Sequence, residues 1–249
     1  MPSINEDNQK EQASYENDDI IRDETELYPE RKGSQPRSLM NRIFRIEERK
    51  AVNKLKCEMN VYKCMKESAL VKLMMAALKS SGCEIDLRRH ISCEICDTKV
   101  TGGYDPHLNQ IVVCHNTAPS QRLVQGVLAH EMIHMFDFCR HNLDPKNIDH
   151  LACTEIRAAN LCHCSFLGAW VQGLASPFNV KEAHQICVKD KAIKSILSTR
   201  KVSESEAQEA VDRVFKRCYN DLEPVGRRLR RNSEDMEKAY AEGAFYGYI

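Results

Sequence analysis

His130-Glu-Met-Ile-His-Met-Phe-Asp-Phe-Cys-Arg140 decides how this sequence is read. Residues i and i+4 of a helix share a face, so His130 and His134 aim two imidazoles at one point. Glu131, one position after the first histidine, can reach a water beside whatever the two rings hold. The H-E-x-x-H spacing therefore predicts a Zn²⁺ site with two neutral nitrogen ligands and an adjacent general base. The flanks read as a buried helix, since Leu123, Val124, Val127, Leu128, Met132, Ile133, Met135 and Phe136 are apolar on most sides. Ionisable groups in so apolar a helix are costly unless they are paired or bound to metal.

Several residues compete to complete the site. Asp137 lies seven positions after His130 on the same helix, a rise of ~10 Å, and suits an orienting role better than ligation. His141 tests the longer H-E-x-x-H-x-x-G-x-x-H pattern, which fails because Asp137 replaces the glycine and Arg140 takes the third histidine position. His150 and Glu155 fall on the next helical stretch, expected over residues 149–171. A connecting turn plus one helical turn returns the Glu155 carboxylate to the metal, completing a His₂Glu set with an open position. Glu155 is the expected third ligand and His150 its competitor. An ion pair with Arg157 is the other use open to the Glu155 carboxylate.

The rest of the chain frames this stretch. Its 249 residues suit one domain with extensions, and its zero net charge removes any general argument for nucleic acid. Residues 1–30 hold ten acidic and two basic side chains, a net of −8. With few large apolar groups, residues 1–38 read as a disordered polar tail. No run approaches the ~18–20 apolar residues that cross a bilayer, and no signal-peptide core follows Met1. The twelve cysteines, absent from the first fifty residues, read as a disulfide framework of about five bridges.

Residues 39–80 carry a helical pattern that Gly82 closes as a C-cap. Cys57 and Cys64 stand on it ~10 Å apart, too far to bond each other, so each is expected to seek a partner elsewhere. Cys93 and Cys96 favour disulfides over metal, because no second C-x-x-C follows. The segment 101–107 marks a turn, and Gln110-Ile-Val-Val-Cys114 is the best strand, with an edge that an extended peptide could join. Capping boxes at Asn179/Glu182 and Ser203/Glu206 open two helices of a hairpin, which Cys187 and Cys218 could join. Pro224-Val-Gly226 ends the pattern, and Arg227 to Arg231 begin a basic tail over 227–249. The fold class expected is α+β, mainly helical, with a small sheet and disulfide staples in a single domain over 39–226.

Gly102-Gly-Tyr-Asp105, Gln110 to Asn116, the H-E-x-x-H-x-Phe-Asp stretch and His150-Leu-Ala-Cys-Thr-Glu-Ile-Arg-Ala-Ala-Asn-Leu161 together resemble the mitochondrial inner-membrane-associated metalloprotease family of ATP synthase assembly. The likeness continues through Cys187 to Ala192 and through Ala210 to Pro224, covering roughly residues 50–226. It implies a zincin-like core and a soluble or peripheral protein of the mitochondrial intermembrane space, held there by oxidative folding. It also implies zinc-dependent processing of an ATP synthase membrane-sector subunit, together with help in its assembly. An assembly chaperone with a structural or vestigial metal site is the alternative. A metal-stabilised nuclear interaction module is a weaker one, which reduced cysteines would favour.

Overall fold

A computed structural model of the protein describes residues 46–164, 179–230 and 233–248. The tail expected over 1–38, the start of the first helix and residues 165–171 of the second expected helix lie outside them.

The predicted helix over 39–80 is two helices, α1 (Ile46–Glu67) and α2 (Ala69–Ser80). Ser68 makes the break: its hydroxyl accepts from the Val71 N–H and caps α2. Gly82 closes α2 as expected, at φ 85°, with its own N–H and that of Cys83 donating to the carbonyls of Lys79 and Leu78. A single short turn, α3 (Leu87–His90), leads into β1 (Ile91–Glu94), which is followed by β2 (Gly102–Asp105) and β3 (Gln110–Cys114).

The sheet order is β1-β3-β2, with β1 parallel and β2 antiparallel to β3. The most apolar strand thus takes the centre, where both its edges are hydrogen-bonded. This corrects two expectations. β3 has no free edge to offer, and the Gly-Gly-Tyr-Asp segment read as a turn is itself the edge strand, β2. Gly102 is required there: a Cβ would come within 2.3 Å of Val127 Cγ1 and 2.7 Å of the Val112 carbonyl oxygen. That close approach seats β2 on the next helix, α4 (Gln121–Arg140).

Next come α5 (Ile148–Ala158), which runs on as a π turn (Ala159–His163), then α6 (Val180–Thr199), α7 (Glu204–Asn220) and α8 (Asp235–Gly243). Ser203 caps α7 through the Glu206 N–H, whereas Asn179 makes no side-chain cap bond on α6. Two apolar clusters result. One joins α1, α2, the sheet and α4 around Met74, Leu78, Ile111, Leu128 and Ile133. The other joins α5, α6 and α7 through Ile156, Val188, Ile196 and Val211. Helix α5 and its π turn contribute to both, with Ala158 and Leu161 in the first cluster and Ala152 and Ile156 in the second.

Five disulfides staple these layers, the number expected. Cys57–Cys93, Cys83–Cys139 and Cys96–Cys114 tie the first cluster, and Cys153–Cys218 and Cys164–Cys187 tie the second. Two pairings differ from expectation. Cys187 and Cys218 bond α6 and α7 to the π-turn end and to α5 rather than to each other, and the buried Cys64 has no disulfide partner, nor has the half-buried Cys162.

The arginines expected in a solvated tail are paired, Arg228 with the body and Arg227 and Arg230 within the tail itself. Arg230 pairs with Asp235 at 2.9 Å and Arg227 with Glu242, while Arg228 bonds Asn160 and the Tyr219 carbonyl. Behind them α8 packs on α2, so tightly that a Cβ on Gly243 would meet Leu73 Cδ1 at 2.7 Å.

Candidate metal centre

Ser120 caps α4 through the Leu123 N–H, and the helix then runs unbroken beneath β2. His130 and His134, one turn apart, face α5, whose second turn carries Glu155. The nitrogen and oxygen atoms converge: Nε2 to Nε2 is 3.0 Å, and each Nε2 lies 3.6 Å from one oxygen of Glu155. Among the described residues, these three are the group whose ligand atoms all lie within 4.8 Å of one another. A tetrahedron with bonds of ~2.0–2.1 Å has an edge of about 3.3 Å, so the donor separations match such a site.

The electrostatics fit a cation as well. Burial lowers His134 to a pKa of about 3, helped by the charges of His163 and Arg157, and lowers His130 well below its ordinary value. Both rings are therefore neutral at physiological pH, the state in which imidazole ligates. Burial raises Glu155 to about 7, opposed by a hydrogen bond from Ser195 and by the Arg200 charge. A fully buried carboxylate between two neutral rings lacks a counter-charge within the triad, and a divalent ion there would hold it ionised.

Each histidine's second nitrogen is held from behind. His134 Nδ1 lies 2.8 Å from Thr154 Oγ1, whose hydroxyl donates to Asp137 at 2.7 Å. Because that hydroxyl proton goes to Asp137, His134 donates its Nδ1–H to Thr154, which leaves the Nε2 lone pair for the triad. Arg157 pins Asp137 from the other side at 2.9–3.0 Å and also reaches Asp221. Asp137 is thus outside the triad and acts as an orienting group, while Arg157 pairs with it rather than with Glu155. His150 is outside too, its Nδ1 accepting from the Asp144 N–H in the preceding turn.

His130 has a matching support that sequence reading missed. Its Nδ1 lies 2.8 Å from Nε2 of His163. Eight residues of ideal α-helix would rotate His163 ~80° away from Glu155. The π turn at Ala159–His163 winds less per residue and restores the shared face, a distortion that often marks functional sites. The histidine between Cys162 and Cys164 was the available signal.

The triad and Glu131 open onto a cleft of about 570 Å³, walled by β2, α4 and the C-terminal half of α6. Glu131 is 7% exposed, so its carboxylate works largely out of bulk water.

The Peptidase M76 family profile matches residues 55–226. A Danio rerio protein named mitochondrial inner membrane protease ATP23 homolog is 43% identical over 218 residues, 87% of this chain and 82% of that one. The Homo sapiens protein of the same name is 44% identical over 174 residues, covering 69% and 70%. A Schizosaccharomyces pombe protein named mitochondrial inner membrane protease atp23 is 36% identical over 170 residues, covering 68% of this chain and 90% of its own. No solved structure matches. With the profile spanning most of the described fold, the triad and the cleft included, the chain belongs to the peptidase M76 family of metallopeptidases.

Proposed function

We propose that the protein is a zinc endopeptidase of the mitochondrial intermembrane space, acting on an ATP synthase membrane-sector subunit and assisting its assembly. The observation that carries the peptidase chemistry is the convergence of His130, His134 and Glu155, each histidine braced through its other nitrogen. These three would hold the metal. Zinc, when bound, supplies Lewis acidity to the scissile carbonyl and acidifies a neighbouring water. Glu131 takes that water's proton and returns it to the leaving amine. The outer edge of β2 pairs with the extended substrate backbone, a zincin-like arrangement of edge strand above the H-E-x-x-H helix. An intact base at Glu131 favours this reading over a chaperone with a vestigial metal site. The compartment is supported by the relatives' names and by five disulfides, which need an oxidising environment. The ATP synthase substrate rests on the family resemblance.

The metal assignment is tested by ligand deletion. Thr154→Val, which removes one bracing hydroxyl, weakens zinc binding about 10–100-fold. Glu155→Ala weakens it further, because a ligand outweighs a group that orients one. Competition with a fluorescent chelator measures both, and an equal or larger loss for Thr154→Val would displace Glu155 from the ligand set. Chelation of the wild-type protein abolishes cleavage, and added zinc restores it.

No helix of the described residues is long and apolar enough to cross a membrane. A peripheral contact is supported by α1, where Val52, Leu55, Met59 and Tyr62 form an exposed stripe with helical spacing. Lys54, Lys56, Lys63 and Lys66 surround it, against Glu58 and Glu67, as suits an in-plane helix on anionic lipid. Arg228, held by Asn160 and the Tyr219 carbonyl, is not available for that role. Alkaline carbonate or high salt therefore releases the protein from membranes, as immunoblotting of pellet and supernatant would show. Retention after both treatments would require an apolar anchor.

A further inference from the structure

Apart from the triad and Glu131, every charged side chain among the described residues lining the cleft is cationic: Lys99, Arg122, Lys191, Lys194 and Arg200. The chain has 36 basic and 36 acidic residues, so this one-sided lining is not inherited from composition. Two of the five are engaged. Lys194 pairs with Asp190 at 2.8 Å, and Arg200 bonds the Pro145 carbonyl and acts on Glu155. Lys99, Arg122 and Lys191 are exposed, and no ion pair is made by any of them among the described residues.

Their placement follows the cleft. Lys99 lies just before β2, and Arg122 lies eight residues before His130 on α4, ~12 Å along the helix. Lys191 lines the same cleft from α6. A divalent ion with Glu131 and Glu155 sums to zero charge, so the field in the cleft is set by this cationic rim. Clefts lined by one sign of charge concentrate the opposite charge.

We propose that the cleft selects acidic peptide segments, with Lys99 and Arg122 on one wall and Lys191 on the other meeting carboxylates that flank the scissile bond. The inference rests on the peptidase reading of this same site and names its substrate class. A peptide is favoured over other polyanions because Gly102, Gly103 and Tyr104 of the edge strand β2 line the cleft. The backbone groups of that edge pair with an extended peptide, which neither a phosphodiester strand nor a lipid headgroup can imitate.

The test uses the full zinc-loaded chain and two quenched-fluorescence peptides, identical except that Asp and Glu around the cleaved bond become Asn and Gln in the second. At low salt the acidic peptide is cleaved with at least about tenfold higher kcat/KM. The ratio falls toward one at 1 M salt, where the Debye length is about 3 Å. The double variant Arg122→Glu, Lys191→Glu brings it to one or below. A second readout needs no turnover: fluorescence anisotropy of the labelled acidic peptide on the Glu131→Gln protein, with the neutral peptide, single-stranded RNA and anionic vesicles as competitors. Tighter binding of the acidic peptide than of any competitor is expected. If neither peptide is cleaved while the acidic one still binds preferentially, the peptidase reading fails and the acidic selection stands. Equal kcat/KM for both peptides, equal or absent binding, or displacement by RNA or vesicles at matched charge overturns the proposal.

Discussion

Glu131→Gln protein binds zinc at wild-type stoichiometry and hydrolyses peptide about 10²–10⁴-fold more slowly. The amide keeps the shape of the side chain, and His130, His134 and Glu155 are untouched, so metal binding survives. What is lost is a proton acceptor in a nearly dry position, and among the described residues no other carboxylate than Glu155 lines the cleft. Glu155 has both its oxygens turned to the histidines and cannot replace it. Metal analysis beside a discontinuous peptide assay checks both halves. Retained turnover with metal bound would move the base away from Glu131.

Reduction of the five disulfides unfolds most of the described fold. The bridges span 18, 23, 36, 56 and 65 residues. Chain-entropy estimates give about 3–4 kcal/mol for loops of these sizes. The loops overlap and the contributions do not simply add, but even half of them would match the whole 5–15 kcal/mol stability usual for a domain. Far-UV circular dichroism across a reductant titration follows the loss. Intact mass supplies the control, since native alkylation adds at most two labels, at Cys64 and Cys162, and alkylation after reduction in denaturant adds twelve. More than two labels on the native protein would contradict the bridges and the oxidising compartment together.

The convergence of His130, His134 and Glu155 was legible in sequence because its geometry is local. His130 and His134 lie one helical turn apart, and a turn followed by one helical turn is enough to return Glu155 to them. The Gly82 cap was equally readable, since a helix ending in left-handed backbone selects glycine. What stayed hidden depends on contacts distant in sequence. Cysteine spacing carries the number of bridges but not which thiols meet, so Cys187 and Cys218 were joined to each other and Cys64 was given a partner. β3 was recognised as a strand, yet its central position depends on β1 and β2 flanking it. His163 needed the π turn, which no periodicity shows, and Arg228 needed Asn160, 68 residues earlier, to be placed beside it. Ser68 was a missed local signal: a lone hydroxyl before an apolar run is a helix start as well as an interruption.

The two leftover thiols, Cys64 and Cys162, are the chain's own potential attackers of its disulfides. Only a thiolate attacks a disulfide. Burial, with Glu67 nearby, raises Cys64 to about 11, and burial with Glu131 nearby raises Cys162 to about 12. At pH 7 they are therefore ionised only about one part in 10⁴ and 10⁵ respectively, compared with a few per cent for an ordinary thiol. Cys162 sits two residues from the Cys164–Cys187 bridge and would otherwise be well placed to exchange with it. Burial thus holds both odd cysteines largely as thiols, the form that does not attack a disulfide, although the chain carries its own potential nucleophiles.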